Sequence, residues 1–200
     1  MTSEAPTAAA AVTEPRAQGA GASASPGPGV AQVPDDGRVY RFVVDPHHCF
    51  VCGELNERGL RTTIYATTGL AWTEITLGPD LVGWSDKAHG GILATLLDEV
   101  MGWALFEHDC WGVTAELTVR YLRPVDVSRR LRVEGEVAEA TRRLFRTRGR
   151  ILDEDGTVLA TAEARYVAAP QARKAELRAA YRFHMVPVDA EAPATSGAGR

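Results

Sequence analysis

Between Arg38 and Val167 the chain reads as short runs with apolar residues at every second position, broken by polar, Gly- or Pro-marked turns. Arg38–Val44 (RVYRFVV) predicts a first strand, and Asp45–Gly59 (DPHHCFVCGELNERG) is turn-rich and irregular. Leu60–Thr67 and Leu70–Leu77 are β-branched, alternating runs around Thr68-Gly69, the pattern of a hairpin. Gly78–Ala88 (GPDLVGWSDKA) reads as a loop. The period then changes. In Gly90–Glu107 (GGILATLLDEVMGWALFE), Ile92, Leu93, Leu96, Leu97, Val100, Met101, Trp103 and Ala104 fall on about half the circumference of a helix. An apolar stripe that broad suits a helix cradled by a curved sheet. Four strands are expected after it: Gly112–Leu122, stopped by Pro124, then Leu131–Ala140, Leu144–Leu152 and Thr157–Val167, the last pair separated by the turn Asp153–Gly156. Arg146, Arg148 and Arg150 alternate with Phe145, Thr147 and Ile151, so the sheet is wet on one face and packed on the other. Strands, one helix, then consecutive antiparallel strands specify an α+β fold rather than repeated βαβ units.

Composition places the rest of the chain. Residues 1–30 contain nine Ala, four Gly, four Pro, three Ser and three Thr, with Met1, Val12 and Val30 the only large apolar side chains. Such a segment buries too little apolar surface to offset the entropy of ordering it. It lacks the apolar run of a secretory signal and the arginines of a transit peptide. The reading is therefore a disordered tail over residues 1–37, a folded domain over 38–169, and over 170–200 a short helix (Ala172–Tyr181) with a flexible end. Twenty-two basic and 26 acidic residues give a net charge of −4, with no excess positive charge to hold nucleic acid or an anionic membrane. No run approaches the roughly 18 apolar residues of a membrane span. Three cysteines do not build a disulfide framework, so a cytoplasmic protein is expected.

The helix also carries the candidate chemistry. Asp98 lies opposite the apolar stripe, yet its neighbours at helical spacing are Ala94, Thr95, Gly102 and Leu105 rather than the Lys, Glu and Arg of a solvated surface. That face is expected to meet a cleft or another subunit. His89-Gly90-Gly91 stands at the helix start, where glycines leave backbone N–H groups accessible and the positive end of the helix dipole favours an oxygen gaining charge. An oxyanion-type donor and a carboxylate one to two turns away are parts of acyl-transfer chemistry. The bland alternative is a tight helix start with His89 as an ordinary cap.

The run His89–Gly102 (HGGILATLLDEVMG) followed by Gly112–Pro124 (GVTAELTVRYLRP) resembles the signature of PaaI-type acyl-CoA thioesterases of the hotdog superfamily, including the spacing of nine from His89 to Asp98. Cys49–Leu60 (CFVCGELNERGL) resembles a segment found before the fold in one branch of these proteins. The resemblance implies a hotdog fold, a curved antiparallel sheet around one central helix, with protomers pairing as a homodimer or dimer of dimers and active sites at the interface. It implies that Gly90, helped by Gly91, polarises the thioester carbonyl, and that Asp98 acts as general base or nucleophile. Thr114 would orient the lytic water from a strand, beside the partner's Asp98, and His89 would position the thioester or the loop. Some relatives carry Asn or Gln six residues before the histidine; this chain has Gly83 there. The implied substrate is an acyl-CoA or acyl-carrier thioester, with no cofactor. A non-catalytic acyl-thioester-binding protein and a hotdog hydratase or dehydratase are the competing readings.

Three further features have ordinary explanations. Cys49-x-x-Cys52 with His47 and His48 is half of a zinc pattern, but a structural zinc needs four ligands, usually from two paired segments, and Cys110, with His108 near it, is the only other cysteine. A turn-forming loop and no metal are expected. Ten Arg against four acids between Arg120 and Arg150 read first as a solvated strand face and second as a landing site for the phosphates of coenzyme A. Trp84, Trp103 and Trp111 are expected in the core or an interface, one of them bordering the acyl chain.

Overall fold

The computed structural model describes residues 33–188. The expected N-terminal tail, apart from 33–37, and the chain end over 189–200 lie outside the described residues. Strands β1 (Val39–Val44), β2 (Tyr65–Thr67) and β3 (Leu70–Thr76) precede a small hairpin of β4 (Val82–Trp84) and β5 (Lys87–Ala88). Helix α1 (Gly90–Ala104) follows, then β6 (Gly112–Tyr121), β7 (Arg130–Ala140), β8 (Leu144–Leu152), β9 (Val158–Ala168), α2 (Gln171–Ala180) and β10 (Phe183–Val188). Eight strands form one antiparallel sheet in the order β10-β1-β2-β3-β7-β8-β9-β6, wrapped around α1. This is the α+β hotdog architecture. No helix among the described residues is long and apolar enough to cross a membrane.

The core forms where the stripe of α1 meets the inner face of the sheet. Leu96, Leu97, Val100 and Met101 are fully buried, as are Val133 and Ile151 beneath them. Burial of each such side chain contributes about 1.5–3 kcal/mol. Small residues let the helix approach. Ala160, Ala162 and Ala164 line the inner face of β9, and a Cβ on Gly135 of β7 would stand 2.9 Å from Met101 Cα and N. On β8 the expected division holds, with Phe145, Thr147 and Ile151 buried and Arg146, Arg148 and Arg150 exposed.

The structure departs from the sequence reading in four places. Only Tyr65–Thr67 of the Leu60–Thr67 run is strand, because the amides of Leu60 and Thr62 bond to Phe50 and Val51 carbonyls at 2.8 Å, in the preceding loop. The loop before α1 contains the β4–β5 hairpin. The helix ends at Ala104 rather than Glu107 and continues as a 3-10 turn, Leu105–His108, closed by Asp109 at φ 51°. Phe183–Val188, assigned to the C-terminal helix-and-tail region, is an edge strand along β1. Phe183 draws it in by packing edge-on against Phe42, Trp103 and Phe106, and Pro187 is tolerated because the strand is at the edge.

Candidate active site

His89 is the N-cap of α1. Its backbone is extended (φ −63°, ψ 130°), and its Nδ1 accepts the Gly91 N–H at 2.9 Å. That bond satisfies one of the free donors of the first turn and leaves the ring proton on Nε2. The Gly91 amide, expected as a second oxyanion donor, is thus given to His89 in this structure. Among the described residues the Gly90 amide is given to no acceptor, so it is the donor the helix presents. The Gly90 carbonyl is fixed from the other side, accepting the Tyr121 hydroxyl of β6 at 2.8 Å. A Cβ at Gly90 would lie 3.3 Å from that ring. Gly83 packs on His89, where a Cβ would meet the His89 Cα at 2.9 Å. The backbone of β4 thus stands where some relatives carry a polar side chain.

Asp98 faces away from the core, as its neighbours predicted, into a cavity of about 210 Å³ between α1 and the start of β6. Its Oδ1 accepts the Thr114 hydroxyl at 2.8 Å and the Tyr166 hydroxyl at 2.9 Å, and the Tyr166 hydroxyl is also 2.8 Å from the Asp98 carbonyl. Both donors converge on Oδ1, and among the described residues no hydrogen bond is given to Oδ2. Thr114 thus lies beside Asp98 of its own chain, where the resemblance implied the partner's.

A bulge creates this arrangement. Thr114 stands opposite Tyr166 on β9, but the next register pair is Glu116 with Arg165, so Ala115 is an extra residue on β6. The extra residue switches the faces. Thr114 points to the helix, whereas Glu116 points outward and pairs with Arg165.

Tyr166 was absent from the sequence-based site. It is 3% exposed, and burial, then the charge of Asp98 and its hydrogen bond, hold its hydroxyl well above the usual tyrosine range. It remains a proton donor to the carboxylate at any ordinary pH. Its signal was legible as the one polar aromatic continuing the inner series Ala160, Ala162, Ala164 of β9. Tyr121 gave no comparable signal. Trp103, Phe106 and Trp111 wall the cavity beside Asp98, whereas Trp84, at 83% exposure on the β4–β5 hairpin, is outside any core of this chain.

The arginine-rich strands face the other way. Arg132 and Arg150 both donate to Glu134 at 2.6 Å, Arg130 pairs with Glu74, and Arg146 with Glu139 at 3.3 Å. A concavity of about 500 Å³ lies beside the Glu134–Arg150 pair, lined also by Arg120 and Arg148, and Asp98 does not line it. Of its charged lining, Glu134 is paired with Arg150 and with Arg132 beside it.

At the other end of the cavity wall, His47, Cys49 and Cys52 gather their donor atoms within 4.8 Å of one another. A hydrogen bond from Cys52 lowers the Cys49 thiol to about 7, and the same bond, with burial, raises Cys52. The buried Cys110 is raised to about 11, chiefly by burial.

Residues 87–160 match the thioesterase superfamily. A solved thioesterase superfamily protein is similar at 30% identity and a TM-score of 0.58, over 60% of each chain. The zebrafish thioesterase superfamily member 2 is similar at 15% identity and a TM-score of 0.52, over 57% of this chain and 89% of that one. A variant of a hypothetical thioesterase protein from Streptococcus pneumoniae is 21% identical, with a TM-score of 0.50, over 52% of this chain and 85% of that one. No functionally curated protein matches the chain.

Proposed function

We propose that this hotdog-fold member of the thioesterase superfamily hydrolyses an acyl-CoA or acyl-carrier thioester to the free acid and thiol. The observation that carries the proposal is the Asp98 carboxylate, held at Oδ1 by Thr114 and Tyr166 on the wall of the cavity. Asp98 takes a proton from water as it attacks the thioester carbon, and the carbonyl oxygen becomes an oxyanion bound by the Gly90 amide. Collapse of that intermediate expels the thiolate, which recovers the proton from Asp98. In the nucleophilic variant the carboxylate attacks first, and water then opens the resulting anhydride. A thioester is already activated, so orientation of water and one oxyanion donor, worth roughly 3 kcal/mol, are the main requirements. His89 serves by capping the helix that presents the donor. Neither route calls for a cofactor.

Gly90 and Asp98 are eight positions apart on α1, which is about 12 Å along the axis at about 1.5 Å per residue. The attacking group and the oxyanion donor must both lie about 3 Å from one carbonyl. One chain does not span that gap, so the complete site combines Asp98 of one chain with Gly90 of a second. The open edge of β6 supports such a homodimer. It ends the sheet, carries Thr114, and exposes Val113 and Tyr121 at 67% and 53%. An apolar cavity of about 150 Å³ holds benzene, so the cavity beside Trp103 and Trp111 is of a size for an aryl or short acyl group.

A thiol-release assay across short, aryl and long acyl-CoAs tests this reading. Free CoA appearing in step with free acid is expected, with Asp98→Asn inactive. A modified acyl chain without CoA release would mean a hydratase. Saturable binding without turnover would mean a binding protein. Full activity in Asp98→Asn would remove Asp98 from the mechanism.

A further inference from the structure

We propose that His47, Cys49, Cys52 and Glu99 together bind one divalent cation of the zinc class, fastening the loop after β1 to the helix that carries Asp98. The proposal is independent of the thioesterase reading. The sequence supplied three donors and no second cysteine pair. The fold supplies the fourth from α1, where Glu99 Oε2 lies 3.5 Å from Cys49 Sγ. On the other side His47 Nε2 lies 3.4 Å from Cys52 Sγ. With Zn–S of about 2.3 Å and Zn–N and Zn–O of about 2.0–2.1 Å, tetrahedral angles put sulfur about 3.5 Å from the nitrogen or oxygen ligand. Both distances match that separation.

The outer contacts have the form that orients metal ligands. His47 Nδ1 lies 3.0 Å from the Asp45 carbonyl, so its proton sits there and Nε2 keeps its lone pair toward Cys52. The second oxygen of Glu99 accepts the Trp103 indole N–H at 2.9 Å. The Val51 amide donates to Cys49 Sγ at 3.4 Å, a bond that favours the thiolate. The loop is wound tightly enough that a Cβ at Gly53 would stand 2.4 Å from the Cys49 backbone. A simple turn explains the Gly53 geometry, but not an imidazole and two thiols with donor atoms within 4.8 Å of one another and a carboxylate brought to one of those thiols from α1. Two thiolates and an imidazole select zinc over magnesium or calcium. Four protein donors close the coordination sphere, which makes the site structural. Binding replaces both thiol protons, which pass to solvent. Because Glu99 neighbours Asp98, the cation fixes the rotation of α1 at the carboxylate.

The test is a Co(II) titration of the full-length, reduced and chelator-stripped protein. We expect one equivalent bound, with the visible bands of tetrahedral thiolate cobalt, and displacement by Zn(II). Cys52→Ser lowers the affinity on the order of a hundredfold or more, and Glu99→Gln shifts the bands. Absence of those bands from the wild-type protein overturns the proposal. So does unchanged binding in the Cys49→Ser/Cys52→Ser variant. A Cys49–Cys52 disulfide in freshly purified, metal-free protein, seen as an intact mass two hydrogens light, overturns it equally.

Discussion

Gly135→Ala adds one methyl group at the closest contact between sheet and helix. The new Cβ would sit 2.9 Å from Met101 Cα and N and 3.0 Å from the Val100 carbonyl carbon, all of them backbone atoms that no rotamer change moves away. Ordinary contact begins at 3.4 Å, so helix or strand must retreat by about 0.5 Å (3.4 − 2.9). Overpacking of this kind costs about 1–3 kcal/mol. Replacing glycine by alanine returns about 0.5–1 kcal/mol through the unfolded chain and strand propensity. The net expectation is a loss of about 1–2 kcal/mol, read as a lower urea midpoint at unchanged slope. The same shift reaches the site, because Asp98 rides on α1 one turn before Met101 while Thr114 and Tyr166 stand on the sheet. Bonds of 2.8 and 2.9 Å would lengthen to about 3.4 Å, beyond good hydrogen-bond range. A 1 Å misplacement costs about a hundredfold in rate, so a drop in kcat on the order of tenfold is expected. A variant as stable and as active as the parent would refute the close-approach argument.

Tyr166→Phe removes a donor to Asp98 Oδ1 without changing the packing volume. A charge-assisted hydrogen bond of about 1.5–3 kcal/mol is lost, and thiol release should fall by about tenfold or more with the fold intact by circular dichroism. The raised value of the Tyr166 hydroxyl adds stability that is complete below the unfolded tyrosine value of 10 and is lost as pH rises beyond it; the phenylalanine variant should lack that alkaline loss. Glu134, 7% exposed, is disfavoured as an anion by burial, but bonds from Arg132 and Arg150 outweigh this and hold it below its ordinary 4.5. Its contribution is therefore present above pH 4.5 and lost as pH falls through the lower folded value. Glu134→Gln should destabilise by about 1–3 kcal/mol at pH 7 and flatten the acid limb of a stability–pH curve.

Strong periodicity made most of the fold readable. The stripe of α1 and the alternation of Arg146, Arg148 and Arg150 with buried neighbours are local patterns, and the structure keeps both. Phe183–Val188 was not readable because its strand depends on a distant partner, β1, and on the aromatic cluster that Phe183 joins. Asp98 was legible from its unusual neighbours and Gly90 from its place at a helix start. Tyr166 was legible only as the polar aromatic continuing the inner series of β9; a tyrosine on an alternating strand carries no mark of what lies across the sheet. The bulge at Ala115, which turns Thr114 inward and Glu116 outward, is likewise invisible to a strict period of two. Gly91 shows the reverse, a residue whose type fitted the role but whose amide was already bonded to His89. The approach of Glu99 to Cys49 was not legible either, since a helical carboxylate beside Asp98 matches no ligand-spacing rule.

The requirement that Gly90 and Asp98 act on one carbonyl from different chains can be tested by complementation. Gly90→Pro deletes the donor N–H at the first helical position, where proline is well tolerated, and Asp98→Asn deletes the base; each homodimer should be inactive. When equal amounts of the two are unfolded and refolded together, half the dimers are hybrids, each with one intact site of two. The account predicts recovery of about a quarter of wild-type thiol release in such a two-fold symmetric pair. A mixture that stays as inactive as its components, with hybrid dimers shown to be present, would contradict it.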